Sequence, residues 1–396
     1  AVDPAFNPSG SGTHLVATDY YLYESYQVRE GSVTTVTEWR NKADRLAAVR
    51  ASLPINVLAV TTDDSADVFS QSQFDYVWYS ALLDGFAAIG WGQYVFSSDD
   101  NAAPLRIPPS AVQAPDVVSP IARTGSVFGR VTETAIVQVD ASAQSGRVLS
   151  AQSEPVFSGT ENDDVLFVSY VAGVVEIRDE ANVLLAEIPL AAGGSLTIDS
   201  GAGDDAVTVT SFDVALTGGL HFRGGDGSDL ITVNSHVELA DDGDVTLAAE
   251  LVEFTASANL ATSGSGVVTV IADEVVIDPA ANLTSTSRVT FEPQSDGRRL
   301  SLGSEATGRL SLTDAELDRV STPSLSLGAS HSGKVQVTAD ITRALPTDVT
   351  VISGDVLQFV SGSRIQTAGG QLNLHRAEYE LDRLIGLDGF RIDGSS

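Results

Sequence analysis

The sequence predicts a mainly β protein: a parallel, right-handed β-solenoid preceded by a small N-terminal α/β domain. Three observations predict it. Short strand-like runs after about residue 155 recur at offsets of 23 to 25 residues. Within those runs apolar and polar residues alternate, the period of a strand with one buried face. The aromatic residues, by contrast, crowd the first quarter of the chain: Trp39, Trp78 and Trp91, and seven of the nine tyrosines, precede residue 95.

Residues 1–13 are rich in Gly, Ser and Pro and read as an arm. Residues 14–103 read as the α/β domain. His14–Ala17 is a strand candidate. Val36–Ser52 carries Trp39, Leu46 and Val49 at helical spacing, and Pro54 stops it. Ile55–Val60 is a buried-strand run. Tyr76–Ile89 is expected as a helix with Gly90 at its end, and Gln93–Ser97 as a strand. This strand–helix–strand order predicts parallel pairing. Residues 104–125 hold Pro104, Pro108, Pro109, Pro115 and Pro120 and read as an extended linker. Residues 126–154 are a strand-rich entry to the solenoid, which occupies residues 155–396.

The repeats can be laid over one another directly. Val245–Thr262 matches Val268–Ser285 at an offset of 23. Leu196–Val209 matches Leu220–Val233 at 24, and Leu300–Thr313 matches Leu325–Thr338 at 25. The phrase Glu316–Arg319 (ELDR) returns at Glu380–Arg383. A unit of this size cannot bury enough surface to fold alone, so the units must stack. In VTVIADEVVI the alternation places Val and Ile inward and Thr, Asp and Glu outward. A β-sandwich is the competing fold, but it needs no such self-similarity.

Composition narrows the function. Twenty-two basic residues face 53 acidic ones, a net charge of −31, which repels nucleic acid and anionic membrane. No run of 18 apolar residues occurs, so no membrane-spanning segment is expected. Absence of cysteine removes disulfides, zinc thiolates and cysteine nucleophiles. No nucleophile elbow, P-loop or dinucleotide fingerprint stands in its proper context.

Three Gly/Asp stretches stand out: Gly159–Leu166, Ser200–Val207 and Gly224–Ile231. They match the calcium-binding pattern G-G-x-G-x-D-x-U in full or with one or two substitutions, making Asp164, Asp205 and Asp229 candidate calcium ligands. Such a site needs copies nine residues apart, and these are one repeat or more apart. The other reading, which the spacing favours, is that Gly and Asp build tight corners. Asp19, Glu24, Asp63 and Asp64 fall at expected strand ends, where barrel enzymes place their chemistry, or are solvated loop acids. Arg298 and Arg299 near Asp296, and Arg319 beside Asp318, are the only acid-plus-base groupings of the kind solenoid lyases use.

Two resemblances follow from these residues. INVLAVTTDD, WYSALLDGFAAIG and WGQYVFSSDD resemble the closing units of a polygalactosaminidase-like glycoside hydrolase barrel, over about 90 residues. A whole barrel needs roughly 200 or more residues, so the likeness implies a remnant. DGRRLSLGSEATGRLSLTDAELDRV, SGKVQVTADI and AGGQLNLHRAEYELDRL resemble the repeats of filamentous-haemagglutinin-like bacterial surface proteins. That second likeness implies an extracellular or cell-surface structural or adhesive protein, not an enzyme, with a cell-surface glycan as a candidate partner. A solenoid end exposes unpaired strand edges, so the expectation is either a filament-forming subunit that self-associates head to tail or a segment of a longer exported shaft. The alternative is a carbohydrate-binding or carbohydrate-active protein, hydrolase or lyase.

Overall fold

A computed structural model describes residues 19–24, 26–29, 32–53, 55–62, 70–92, 120–132, 135–212 and 216–378. With 52% strand and 11% helix the protein is mainly β, and none of its sheets closes on itself. The chain divides into two compact units. One comprises Ala1–Gln152, Val171–Val174 and Pro189–Ala192. The other comprises Ser153–Tyr170, Val175–Ile188 and Gly193–Ser396.

The first unit begins with β1 (Tyr20–Glu24), the short antiparallel pair β2 (Val28–Arg29) and β3 (Ser32–Val33), and helix α1 (Val36–Ser52). The side chain of Thr35 caps α1 by accepting from the Glu38 N–H at 3.2 Å. Strand β4 (Asn56–Thr62), helix α2 (Gln71–Asp84) and strand β5 (Ala88–Gly92) follow. The three longer strands pair in parallel in the order β1-β4-β5, with Tyr20 opposite Asn56 and Leu58 opposite Ala88.

Helix α2 lies about five residues earlier than the apolar pattern predicts. Ser70 accepts from the Gln73 N–H to start it, and Gly85, at φ 68° in the left-handed region, ends it. Ile89 and Gly90, expected in the helix and at its end, belong to β5. Gly85 ends the helix because it can take the left-handed turn there and return the chain into the sheet. The strands expected at 14–17 and 93–97 lie outside the described residues.

Strands β6 (Ala122–Thr124), β7 (Val127–Val131), β8 (Ala135–Asp140) and β9 (Ser145–Ser150) form an antiparallel meander. Residues expected as the end of a linker and the entry to the repeats thus lie in a sheet of the first unit. The physical reason is shared burial. Phe128, Val137 and Val139 join Tyr26, Trp39, Tyr76, Val77, Leu83 and Phe86 in one core, and Trp39 meets Phe128 edge to face at 5.1 Å.

The second unit is built on parallel ladders. In the longest, Leu196 pairs with Leu220, then Val245, Val268, Val289, Leu325, Val349 and Leu372. Two residues on, Ile198, Phe222, Leu247, Val270, Phe291, Leu327 and Val351 form a second column, each at most 2% exposed. A second ladder runs Leu166, Val207, Ile231, Val252 and Val275. A third runs Val237, Leu260, Leu283 and Val320. The offsets of 23 and 24 read from the sequence reappear as pairing offsets at Val245–Val268 and Leu196–Leu220.

The third sequence match does not. Leu325 pairs with Val289 and Val349, whereas Leu300 pairs with Leu310 and Val335. Strands Leu300–Gly303 and Leu310–Thr313 run parallel and adjacent, only ten positions apart, although parallel neighbours ordinarily need a connection of about a dozen residues or more. The extra strand lengthens this step of the long ladder from Val289 to Leu325. Strand Val267–Ile277 also departs from simple alternation. Val268, Val270 and Ala272 face in, but Asp273 beside them is buried too, and Val276 is 41% exposed. The phase shifts at Ala272–Asp273, where the strand passes from the first ladder to the second.

Candidate functional site

The Gly/Asp stretches lie at the turns that join the first ladder to the second. Thr160–Asp164, Gly201–Asp205 and Gly225–Asp229 occupy corresponding places, since Thr160 pairs with Gly201 and Ala202 bridges Asp226. Gly225 has φ 102°, and a Cβ there would meet Gly201 O at 1.8 Å. Only glycine fits such a stacked corner.

These turns bring Asp164, Asp205 and Asp229 into one column, continued by Glu250. The Asp164 N–H donates to Asp205 Oδ1 at 2.7 Å and the Asp205 N–H to Asp229 Oδ1 at 3.0 Å. The Asp229 N–H in turn donates to Glu250 Oε2 at 3.0 Å. Asp164 turns its own Oδ2 back to the Thr160 N–H at 2.7 Å. The neighbouring acids run the other way: the Asp204 N–H donates to Asp163 Oδ1, and the Ser228 N–H to Asp204 Oδ1, each at 2.9 Å. Asp163, Asp204 and Ser228 are exposed, while Asp205 and Asp229 are each 2% exposed. Adjacent acids thus serve opposite faces and opposite directions.

Asp205 Oδ2 and Asp229 Oδ2 are buried without a hydrogen-bond partner. Burial pushes the Asp229 carboxyl above its usual range. The Asp205 N–H bond opposes that shift, and the nearby Glu250 and Asp205 carboxylates add to it. Among the described residues no group of three or more His, Asp or Glu is arranged to hold a metal ion. The candidate calcium ligands share a column, but one oxygen of each of Asp205 and Asp229 is committed to a backbone N–H of the preceding turn. Through those oxygens Asp205 and Asp229 cap backbone donors at these corners.

The first unit holds a polar centre that no sequence motif announces. Asp84, at the end of α2, is 7% exposed. Its Oδ2 accepts from Tyr26 Oη at 2.7 Å and from Trp39 Nε1 at 2.9 Å, and its Oδ1 from Arg40 Nη1 at 2.7 Å. Arg50 donates to the Asp84 carbonyl at 3.2 Å and Arg130 to the Leu83 carbonyl at 2.6 Å, closing the last turn of α2 with cations. Burial and the Asp84 charge hold the Tyr26 hydroxyl far above its ordinary range. The signal missed was three-dimensional: the partners lie 58, 45 and 44 residues from Asp84.

The remaining candidates are dispersed. Asp19 accepts the Asn56 N–H through its backbone carbonyl. Glu24 closes β1 with its side chain outside the described residues, where Asp63 and Asp64 also lie. Arg298 turns to Asp273, its Nε 3.9 Å from Oδ1 and its Nη2 donating to the carbonyl. Arg319 donates to the Ile277 carbonyl at 2.6 Å. Both hold backbone carbonyls, and Arg298 has its acid in Asp273 and not in Asp296.

No protein-family model, no curated protein and no solved structure matches this chain.

Proposed function

We propose that the chain is an extracellular structural or adhesive scaffold, its ladders the faces of a right-handed β-solenoid that serves as a shaft. One observation carries this reading: the unbroken parallel register from Leu196 to Leu372, in which chain-distant segments stack into one ladder. Such a ladder suits a protein that must present a long surface, because length grows by adding repeats without redesigning a core. The net charge of −31 favours dispersal in water over compact association with nucleic acid. The polar centre at Asp84 and the acid column are bonded inward, which supports a holding role over a catalytic one.

In this reading the subunits self-associate head to tail or continue a longer shaft, since a parallel ladder ends in strands with backbone groups free to pair. Negative-stain microscopy and light scattering of the purified chain test it. Rods whose length grows with concentration or salt are expected. Compact particles would remove the shaft. Release of reducing ends or unsaturated uronates from polysaccharides would favour the carbohydrate-active alternative instead.

A further inference from the structure

The long ladder carries a second column, displaced by one residue from its buried one and facing the opposite side. It runs Thr197, His221, Thr246, Thr269, Thr290, Ser326, Thr350 and Asn373, eight residues in continuous register. All eight are half-buried and so still reach solvent. None is an acid or a lysine or arginine, in a chain with 53 acids and 22 bases. The His221 imidazole is pushed below its usual range by burial and by Arg223, with Asp244 opposing.

Threonine is a good strand former, which accounts for its frequency here. Propensity does not account for what the hydroxyls do. At the corners, Ser and Thr hydroxyls are bound to backbone: Thr262 and Ser285 both donate to the Gly266 carbonyl, Ser353 to Gly333 and Ser363 to Val337. Along the column one side-chain bond is made, His221 Nδ1 to Thr246 Oγ1 at 3.1 Å. The hydroxyls of Thr197, Thr269, Thr290, Ser326 and Thr350 have no protein partner among the described residues. They stand one strand spacing apart, about 4.8 Å, so the column spans about 34 Å.

We propose that this column is the docking face for an uncharged, linear polysaccharide lying along the ladder, an inference that rests on the adhesive reading above. The match is chemical and periodic. A neutral glycan offers hydroxyl donors and acceptors at intervals close to one strand spacing, and needs no counter-charge. The flanking residues of the same face carry both signs, Asp199, Glu292 and Asp348 beside Arg223 and Arg288, and it is the net charge of −31 that disfavours anionic glycans and so selects for neutral ones. Each contact is weak, and the repeat makes binding cooperative in length through avidity.

The test is co-sedimentation of the full chain with insoluble β-1,4-glucan and β-1,3-glucan, with alginate as the anionic control. Binding to a neutral glucan and not to alginate is expected, with at least a tenfold loss in the triple variant Thr269→Val, Thr290→Val, Thr350→Val. Valine keeps the shape and strand preference while removing the hydroxyls, so the thermal melt should not move. Thr208→Val with Thr232→Val, on the second ladder, should leave binding intact. Binding to neither glucan, equal binding by the triple variant, or adsorption to growing ice in place of glucan would each overturn the inference. Rod formation in microscopy is scored separately, so the scaffold can stand while the ligand falls.

Discussion

The backbone N–H of Asp205 donates to Asp229 Oδ1 at 3.0 Å, while Asp229 Oδ2 is buried with no partner and the Glu250 carboxylate accepts from the Asp229 N–H. One carboxylate therefore does two things with opposite energetic sign. It caps a backbone donor that would otherwise be unsatisfied, and it places a charge where burial and like charges oppose it.

A pH dependence follows. The Asp229 carboxyl is raised above 3.8 in the folded protein. The folded state then binds the proton more tightly than the unfolded chain, so this group's contribution is present below that value and is lost as pH rises through the raised one. Asp229→Asn keeps the Oδ1 acceptor for Asp205 and offers Glu250 an N–H. The variant is expected to melt higher than the parent at pH 7, with the gap closing as pH falls toward 4. Melting curves between pH 4 and 8 check this; parallel curves at all pH values would refute it. Chelator should leave both proteins unchanged, and a calcium-dependent rise in Tm abolished by Asp229→Asn would put a cation in the column instead.

The polar centre of the first unit gives a larger effect. Asp84→Ala removes the acceptor of Tyr26, Trp39 and the half-buried Arg40. Arg40 keeps Asp44 as a partner, so the loss is that of an acceptor for the two buried donors Tyr26 and Trp39, about 1–3 kcal/mol for each one left unsatisfied. Every tryptophan of the chain lies in the first 91 residues, so tryptophan fluorescence during urea unfolding reports on this unit. A midpoint shift of less than about 1 kcal/mol equivalent would show that Asp84 is dispensable.

The stacked corners predict a contrast between two glycines that both have positive φ. At Gly225 (φ 102°) a Cβ would lie 1.8 Å from Gly201 O, whereas at Gly297 (φ 71°) it would meet nothing within 4 Å. Gly297→Ala carries only the left-handed backbone penalty, about 1–2 kcal/mol. Gly225→Ala adds a clash with the preceding turn at Gly201 and is expected to cost clearly more. Equal losses in thermal stability would mean that the turns at Gly201 and Gly225 do not touch.

How much of this was legible depended on whether the signal was local. Helix α1 could be read to its observed bounds because Trp39 and Leu46 recur at helical spacing between Thr35 and Pro54. The offsets linking Leu196 to Leu220 and Val245 to Val268 were legible because pairing in parallel register preserves inward positions. The same logic failed at Leu300 and Leu325. LSLG occurs twice, but period-two alternation says only that alternate residues share a face, not which ladder they join, and the extra strand at Leu310 shifted the pairing. α2 was misplaced because its apolar run continues into β5, and only the left-handed Gly85 separates them. The acid column was visible as Gly/Asp corners, but the direction of its hydrogen bonds was not. Asp84 offered no signal, since its three partners are distant in sequence.

The misread register gives the sharpest check on the second unit. Thr290 is paired with Ser326, 36 positions away, and Ser301 with Ser311 and Gln336. The chain has no cysteine, so introduced pairs report without background. Neighbouring strands lie within the separation of about 4.4–6.8 Å that a disulfide tolerates. Thr290→Cys with Ser326→Cys is expected to close quantitatively under mild oxidation. The closed loop should raise stability by about 3–4 kcal/mol, provided the native geometry is unstrained. Ser301→Cys with Ser326→Cys, the pairing that sequence similarity alone would choose, is expected to stay reduced. The reverse outcome would mean that the two LSLG strands stack on each other and that Leu325 does not follow Val289 in the long ladder.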